Sequence, residues 1–342
     1  MYLFLVAKVL FVLVLLVGII MPNLVWLERR IAGFCQNRVG PNRVGPFGLL
    51  QTAADAIKLI FKEDFIPAEA DRWLFRLAPI LAMVPAALAF AIVPFGSQVE
   101  VAGEVMPLVV ADLDVGILFA MAALGLSVYG ISFGGWASNN KYSMIGGVRS
   151  SAQLVSYEVA LSLSIIAVLM TTGSVRMNDI VLGQTGTWFG WLPQWNVFQQ
   201  PIAFVVFLFC AFAENQRLPF DVPEAEPELI GGYHTEYAGI KFGLFFLGEY
   251  LAVVTMSALI VTLFLGGWHL PGVPTDSTSW AWGLATCAIF FAKVGVVILF
   301  YIFIRWTLPR FRYTDVMHIG WKFLLPVGLA NVAVTATLGV LL

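Results

Sequence analysis

The sequence predicts an all-α protein, a polytopic transmembrane helix bundle with about eight spans, an interfacial amphipathic helix after the first span and long cytoplasmic loops. Three observations predict it. The chain is 60% hydrophobic and only 12% charged over 342 residues, whereas a soluble domain carries about 25% charged residues. Its mean hydropathy is +0.87, more apolar surface than a water-soluble fold of this length could hide. The apolar runs also recur at the roughly 20-residue length that a hydrocarbon core of about 30 Å requires.

In order, the expected spans are 2–27, 77–95, 113–134, 146–172, 198–214, 239–265, 284–306 and 321–341, all within a single membrane domain covering 1–342. The fifth is the shortest. The first lacks a basic leader and is too long for the apolar stretch of a cleaved signal, so it reads as a true span. Sidedness follows from the basic residues. The loops after spans 1, 3, 5 and 7, with their span ends, hold 16 of the 19 Lys and Arg. The opposite loops hold only Arg176, while Lys8 and Lys293 lie within spans. This positive-inside imbalance puts the large loops in the cytoplasm and both termini outside. Trp26, Trp73, Trp136, Trp268, Trp306 and Trp321 fall at span ends, where an indole keeps its N–H wet. Trp188, Trp191 and Trp195 mark the outer loop 173–197 as a segment lying on the interface.

After span 1 the repeat Arg38-Val39-Gly40-Pro41 and Arg43-Val44-Gly45-Pro46 breaks the helix. The interfacial helix is expected over 47–62, roughly 24 Å long. Leu49, Leu50, Ala53, Ala54, Ile57, Ile60 and Phe61 form one face, and Gln51, Asp55, Lys58 and Lys62 form the other. The charged stripe suits a helix lying in the membrane plane. Two readings stay open: a plain surface anchor, or the roof of an opening between membrane and cytoplasm. Glu28-Arg29-Arg30 carries the same choice, because span-end arginines commonly snorkel to headgroups.

The acidic loop 214–238 is the most unusual segment. Residues 214–236 hold six carboxylates against one arginine, Arg217, where a cytoplasmic loop should lean basic. Glu214, Asp221, Glu224, Glu226, Glu228 and Glu236 alternate with Pro and apolar residues, unlike a solvated acidic run. Glu249 in span 6, Glu158 in span 4 and Lys293 in span 7 add three charges at membrane depth. Each costs about 2.5–3.5 kcal/mol on insertion scales, so they must face the interior, a water-filled cavity or one another. Desolvated, crowded carboxylates can change protonation near neutral pH, which a proton path requires. The competing reading is a set of buried ion pairs, such as Glu249 or Glu158 with Lys293.

No redox centre is legible in the chain. Cys35, Cys210 and Cys287 are far apart, and no C-x-x-C, G-x-G-x-x-G or phosphate-binding loop occurs. His234, His269 and His318 fall near span ends or in loops, not paired as haem ligands would be. Metal chemistry is not expected, nor nucleic-acid binding.

Leu27-Glu28-Arg29-Arg30, Gly40-Pro41-Asn42-Arg43-Val44-Gly45-Pro46, Gly48-Leu49-Leu50-Gln51, Ala54-Asp55, Gly135-Trp136-Ala137-Ser138-Asn139, Ser156-Tyr157-Glu158-Val159, the stretch Ala213–Glu228, Glu236-Tyr237, Glu249-Tyr250 and Pro309-Arg310-Phe311-Arg312-Tyr313 carry a family resemblance. The chain resembles the H subunit of bacterial respiratory complex I, the proton-translocating NADH:quinone oxidoreductase, and its mitochondrial counterpart, subunit 1. The resemblance covers nearly the whole chain. It implies a membrane-arm translocase subunit that forms much of the tunnel and chamber through which quinone enters. Arg29, Arg38, Asp55, Phe220 and Arg217 would line the quinone path. Glu158, Glu214, Asp221, Glu224, Glu226, Glu228, Glu236 and Glu249, with Lys293, would relay or couple protons. The quinone would be ubiquinone, with menaquinone the alternative. NADH, FMN and iron–sulfur clusters would belong to partner subunits. The implied partners are hydrophilic quinone-site subunits on the cytoplasmic side, small membrane subunits and antiporter-like subunits, in a bacterial inner membrane. His234 stands where an asparagine is common, and Asn37 stands where a second basic residue is frequent.

Two other readings remain. A related donor-driven complex of the membrane-bound hydrogenase type uses an equivalent subunit. A free-standing proton-coupled transporter could use the same carboxylates, but the two halves show no matched broken helices, and the large loops offer docking surface that a lone transporter would not need.

Overall fold

The computed structural model describes residues 2–101, 103–188, 190, 192–223, 229–274 and 277–341. Seven helices among them are long and apolar enough to cross a membrane. They are α1 (Phe4–Cys35), α3 (Arg72–Ala91), α4 (Gly116–Ala137), α5 (Lys141–Thr172), α7 (Gly239–Phe264), α8 (Trp280–Thr307) and α9 (Tyr313–Leu341). The amphipathic helix α2 spans Gln51–Phe61. The shorter apolar helix α6 spans Pro201–Glu214, roughly 21 Å at 1.5 Å per residue. The chain is therefore an all-α polytopic membrane protein. Among the described residues its sheet is confined to two small antiparallel hairpins, β1 (Gln98–Val101) with β2 (Glu104–Pro107) and β3 (Thr187–Trp188) with β4 (Leu192–Pro193).

Several helices outrun their expected spans. α1 continues through Glu28, Arg29 and Arg30 to Cys35, and α5 begins at Lys141 rather than 146. Hydropathy registers where the chain leaves an apolar solvent, whereas the backbone ladder ends only where a cap or turn ends it. Asp71 caps α3 by accepting from the amides of Trp73 (3.0 Å) and Leu74 (3.2 Å). Asn140 caps α5 by accepting from the Tyr142 amide at 2.9 Å. Both caps lie outside the apolar runs.

The interfacial helix begins later than expected, at Gln51 rather than Phe47. Phe47 has φ +54 and Gly48 has φ +77, so the chain turns there instead of entering a helix. A side chain at Gly48 would collide with the Pro41 carbonyl, which leaves glycine as the residue that fits. The Phe47 carbonyl accepts from Trp26 Nε1 (3.1 Å) and Arg30 Nη1 (2.9 Å), fixing this turn to α1. Ile57, Ile60 and Phe61 of α2 are exposed.

α7 is the central helix: 72% of its apolar window is buried, against 17–50% for the other long helices. α3 packs against α7, α4 against α3 and α5 against α4, and both α6 and α9 pack on α5. Close approach is made by small residues. A methyl group on Gly130 would overlap the α3 backbone at Leu81 and Ala82, and one on Gly248 would press on Met83. α7 thus carries its polar residues into the middle of the bundle, where they meet the loop that follows α6.

Candidate functional site

The loop after α6 folds back on the end of α1. Glu28 is only 5% exposed, deep for a carboxylate in a span-end sequence. Arg217 Nη1 donates to both its oxygens, at 3.0 and 2.9 Å. The Tyr250 hydroxyl donates to Oε2 at 2.7 Å, and Arg305 of α8 pairs with Oε1. Arg217 also pairs through Nε with Glu249 at 2.7 Å and lies over the Tyr250 ring at 4.1 Å. Burial opposes the charge on Arg217, but Glu249 and Glu28 beside it hold the guanidinium protonated well above its ordinary range. Two carboxylates and two guanidiniums thus form one compensated cluster, the arrangement that makes buried charge tolerable.

A second pair flanks it. Asp221 accepts from Arg310 Nη2 at 2.7 Å. Burial pushes the Asp221 carboxyl up, and Arg310 pulls it part of the way back. Gln153 of α5 pins the loop by donating to the carbonyls of Ala213 (2.8 Å) and Phe220 (2.9 Å). The Phe311 amide donates to the Pro219 carbonyl at 3.0 Å, tying the loop to the segment before α9.

Two cavities meet this cluster. The larger, about 390 Å³, is lined by Glu28, Arg29, Ala32, Arg38, Arg217, Tyr233, His234, Phe242, Phe245, Phe246, Glu249, Tyr250, Arg305 and Trp306. Its wall combines guanidiniums and carboxylates with aromatic rings. The smaller, about 50 Å³, lies among α3, α4 and α7 and is lined by Ser127, Glu214, Glu249 and mainly apolar neighbours. Tyr233, Phe245 and Glu249 line both. Glu214 Oε2 is buried with no protein partner among the described residues, and Glu158 on α5 is within electrostatic reach of it. Gly125 of α4 makes room for Glu158, whose Oε1 is 2.9 Å from where a methyl group there would stand.

The sequence of residues 7–336 matches the family model described as NADH dehydrogenase. The chain is 51% identical over 312 residues to the first of the NADH-quinone oxidoreductase H subunits of Geobacter metallireducens, covering 91% of this chain and 89% of the relative. It is 47% identical over 328 residues to the second such H subunit of Rhizobium meliloti, covering 96% and 95%. It is 48% identical over 326 residues to NADH-quinone oxidoreductase subunit 8 of Rhodothermus marinus, covering 93% and 92%. The chain belongs to the H-subunit family of NADH-quinone oxidoreductases. It is thus a membrane subunit of a multi-subunit enzyme, the respiratory complex I class.

The residues expected to act in this member of the H-subunit family divide by position. Arg29, Arg38, Arg217 and Glu249 line the large cavity, Glu214 and Glu249 line the small one, and Glu158 stands beyond it. Asp55 reaches the cavity wall only indirectly: it pairs with Arg29 and accepts from Gln51 Nε2 at 3.0 Å. Asp221 pairs with Arg310 behind the cluster. Phe220 does not line either cavity. It is 1% exposed, packed edge-on against Tyr157 (5.6 Å) and tilted against Phe311 (5.5 Å), contacts that anchor the loop. Glu236 also stands apart, accepting from Asn140 Nδ2 at 2.6 Å beside the α5 cap. Glu224, Glu226 and Glu228 lie outside the described residues, as does Trp191.

Lys293 differs most from expectation. It pairs with neither Glu158 nor Glu249 in the structure. Its ammonium donates to the carbonyls of Leu265 (2.6 Å), Gly267 (3.0 Å) and His269 (2.7 Å) just past the end of α7 and lies over the Trp195 ring at 4.5 Å. A helix end leaves carbonyls unsatisfied, and a cation there answers both the dipole and the acceptors. Glu249 is 16 residues before Leu265 on the same chain, roughly 24 Å along a helix. Lys293 therefore closes the opposite end of α7 from the carboxylates.

Sequence reading passed over Glu28, Tyr250, Arg305 and Arg310 as site residues. The arginines counted only toward sidedness, and Glu28 beside two arginines looked like a headgroup pair. A span-end carboxylate with no cation four residues away was the available signal.

Proposed function

We propose that this chain forms much of the tunnel and chamber through which a quinone reaches the NADH:quinone oxidoreductase complex, and that it couples quinone reduction to proton translocation through Glu249, Glu214 and Glu158. The supporting observation is Glu249, which lines both the large cavity beside the cationic cluster and the small cavity that leads to Glu214. A quinone headgroup is a planar ring with two carbonyl acceptors. It suits a wall that offers guanidinium donors from Arg29 and Arg38 together with the rings of Phe242, Phe246 and Trp306. Its long apolar tail suits the exposed face of α2 and the apolar flank of α1, with α2 in the membrane interface.

Reduction of a quinone to a quinol consumes protons and changes the charge at the chamber. Arg217 holds Glu28 and Glu249 at once, so any shift in the loop that carries it changes the partner of Glu249. Released from its guanidinium, Glu249 faces the small cavity. Glu214 and Glu158 carry the charge onward, toward antiporter-like partner subunits. Asp221 tunes the loop through Arg310. Glu224, Glu226 and Glu228 extend the acidic file, and Glu236 supports it from the α5 cap. On this reading NADH, FMN and iron–sulfur clusters sit in partner subunits, the quinone is ubiquinone or menaquinone, and the chain lies in a bacterial inner membrane with both termini outside.

Replacing Glu249 by Gln in the assembled complex tests the reading. The expected result is a loss of proton pumping together with slowed NADH:quinone turnover. Wild-type values for both would remove Glu249 from the relay.

A further inference from the structure

The proposed relay leaves one physical question at Glu249. A carboxylate open to two cavities would let protons and water pass freely between the quinone chamber and the inner path, unless something separates them. Two cavities of about 390 and 50 Å³ share only three lining residues among those described, Tyr233, Phe245 and Glu249. Phe245 is one helical turn before Glu249 on α7, so the ring and the carboxylate share a face. It is 4% exposed.

The ring is held from several sides. It stands edge-on to Tyr233 (centroids 5.3 Å) and to Tyr237 (4.9 Å). Tyr237 is itself stacked on Phe75 of α3 at 4.0 Å, with the ring planes 5° apart. On the remaining side the ring tip meets α4 at Gly134, where a methyl group would come within 2.9 Å of the Phe245 Cζ. Phe245 thus fills its slot with no slack toward α4, and its contacts with Tyr233 and Tyr237 place it against the segment 231–238. That segment is seated tightly in turn: a methyl group on Gly146 of α5 would lie 2.8 Å from Gly232 and Tyr233 backbone atoms.

We propose that Phe245, clasped by Tyr233 and Tyr237, is the barrier between the quinone-side cavity and the inner carboxylate cavity, and that displacement of the segment 231–238 opens it. This rests on the proposed relay and adds the element that gives it direction. The barrier is apolar and ring-shaped, and no chain of hydrogen-bonded water can cross a filled aromatic slot. Beyond it, the small cavity of about 50 Å³ is large enough for about three to five waters, since each needs about 10–15 Å³ of this kind of volume. The buried, unpartnered Glu214 Oε2, the Ser127 hydroxyl and the Glu249 carboxylate offer such waters their polar contacts. Tyr233 and Arg217 both line the quinone-side cavity, and a shift of the segment 231–238 that draws Tyr233 off the ring opens the barrier.

The test uses the whole complex in sealed inverted membrane vesicles and reads protons moved per NADH oxidised. Phe245 also borders the quinone cavity, so turnover alone is not the measure. Phe245→Ala is expected to lower the ratio at least two-fold, because a permanent opening lets protons slip back to the quinone side. Phe245→Tyr adds an atom at the ring tip against Gly134, so it should keep the ratio near the wild-type value while slowing turnover as Gly134→Ala does. Should Phe245→Ala fail to assemble, judged by subunit content, Phe245→Leu provides the same reading, with an expected ratio between the alanine and wild-type values. An unchanged ratio in the smaller-side-chain variant that assembles overturns the barrier. Gly134→Ala gives the opposite perturbation, wedging the ring shut. It should slow coupled turnover several-fold at an unchanged ratio, and wild-type turnover would count against the barrier. Glu249→Gln separates the two ideas. If it abolishes pumping while Phe245→Ala leaves the ratio intact, the relay stands and the barrier falls. If Glu249→Gln leaves turnover and pumping intact, the relay itself falls.

Discussion

Arg217→Ala is the perturbation whose consequence the structure defines most closely. The guanidinium is 8% exposed in its side chain and meets Glu28 at 2.9 Å and Glu249 at 2.7 Å. At the effective dielectric of about 20 that fits buried sites, each pair contributes about 4 kcal/mol of attraction at 4 Å between charge centres. Desolvating the guanidinium removes several kcal/mol of that gain. Truncation also strands charge: Glu28 and Glu249 would share one cation, Arg305, which touches only Glu28. Breaking a buried pair from one side costs about 3–5 kcal/mol, equivalent to a shift of about 100-fold or more in the population of the docked loop. Arg217→Lys should recover only part, since an ammonium cannot reproduce the fork that spans both carboxylates. The assay is two-fold: the thermal midpoint of quinone-reductase activity in the purified complex, and limited proteolysis of the loop 215–238. Faster loop cleavage and a lowered midpoint are expected for Ala, with Lys between. Wild-type proteolysis and midpoint in Arg217→Ala would refute the claim that this residue holds the loop to α1 and α7.

Four further outcomes are expected. Arg29–Asp55 is a half-exposed pair, worth about 0–1 kcal/mol; Asp55→Asn should therefore raise the KM for long-tailed quinone a few-fold without lowering the content of assembled subunit. A bulky label on Ala53→Cys, at an exposed position of α2, should hinder long-tailed quinone more than ferricyanide reduction, and equal inhibition of both would oppose the tunnel. Lys293→Met strands three carbonyls at the end of α7, so assembled complex should fall, while protons per NADH in the remainder stay at the wild-type ratio. Burial lowers His234 from 6.5 to about 4, so the folded chain resists its protonation. That contribution, about 3 kcal/mol, is complete above pH 6.5 and is lost as pH falls toward 4; thermal stability measured from pH 7.5 to 5 should drop more steeply in wild-type than in His234→Gln.

The membrane architecture was legible because span length and apolar composition report directly on bilayer thickness, and α7 was placed within one residue of its helix end. Caps were less legible. Asp71 and Asn140 cap helix starts that lie outside the apolar runs, so α3 and α5 start earlier than expected. The start of α2 was hidden by a backbone turn at Phe47 and Gly48 that periodicity cannot register. At the site, Glu214 and Glu249 were visible as acids in the wrong solvent. The ion-pair cluster around Glu249 was not, because Glu28, Arg217, Glu249 and Arg305 come from distant segments and long-range pairing leaves no local pattern. Lys293 shows the reverse case. A charge at membrane depth left a relay role and a carboxylate partner both open, and in the structure its ammonium donates to helix-end carbonyls.

The central claim is that Glu249 passes a proton to Glu214 across the small cavity. Its most direct measurement is the number of protons moved per NADH oxidised by Glu214→Gln complex in sealed vesicles, with subunit content matched to wild-type. Glutamine keeps the volume and removes the titrating proton. A several-fold fall in pumping, with NADH:ferricyanide activity retained, is the predicted result; wild-type quinone turnover with wild-type pumping would contradict it.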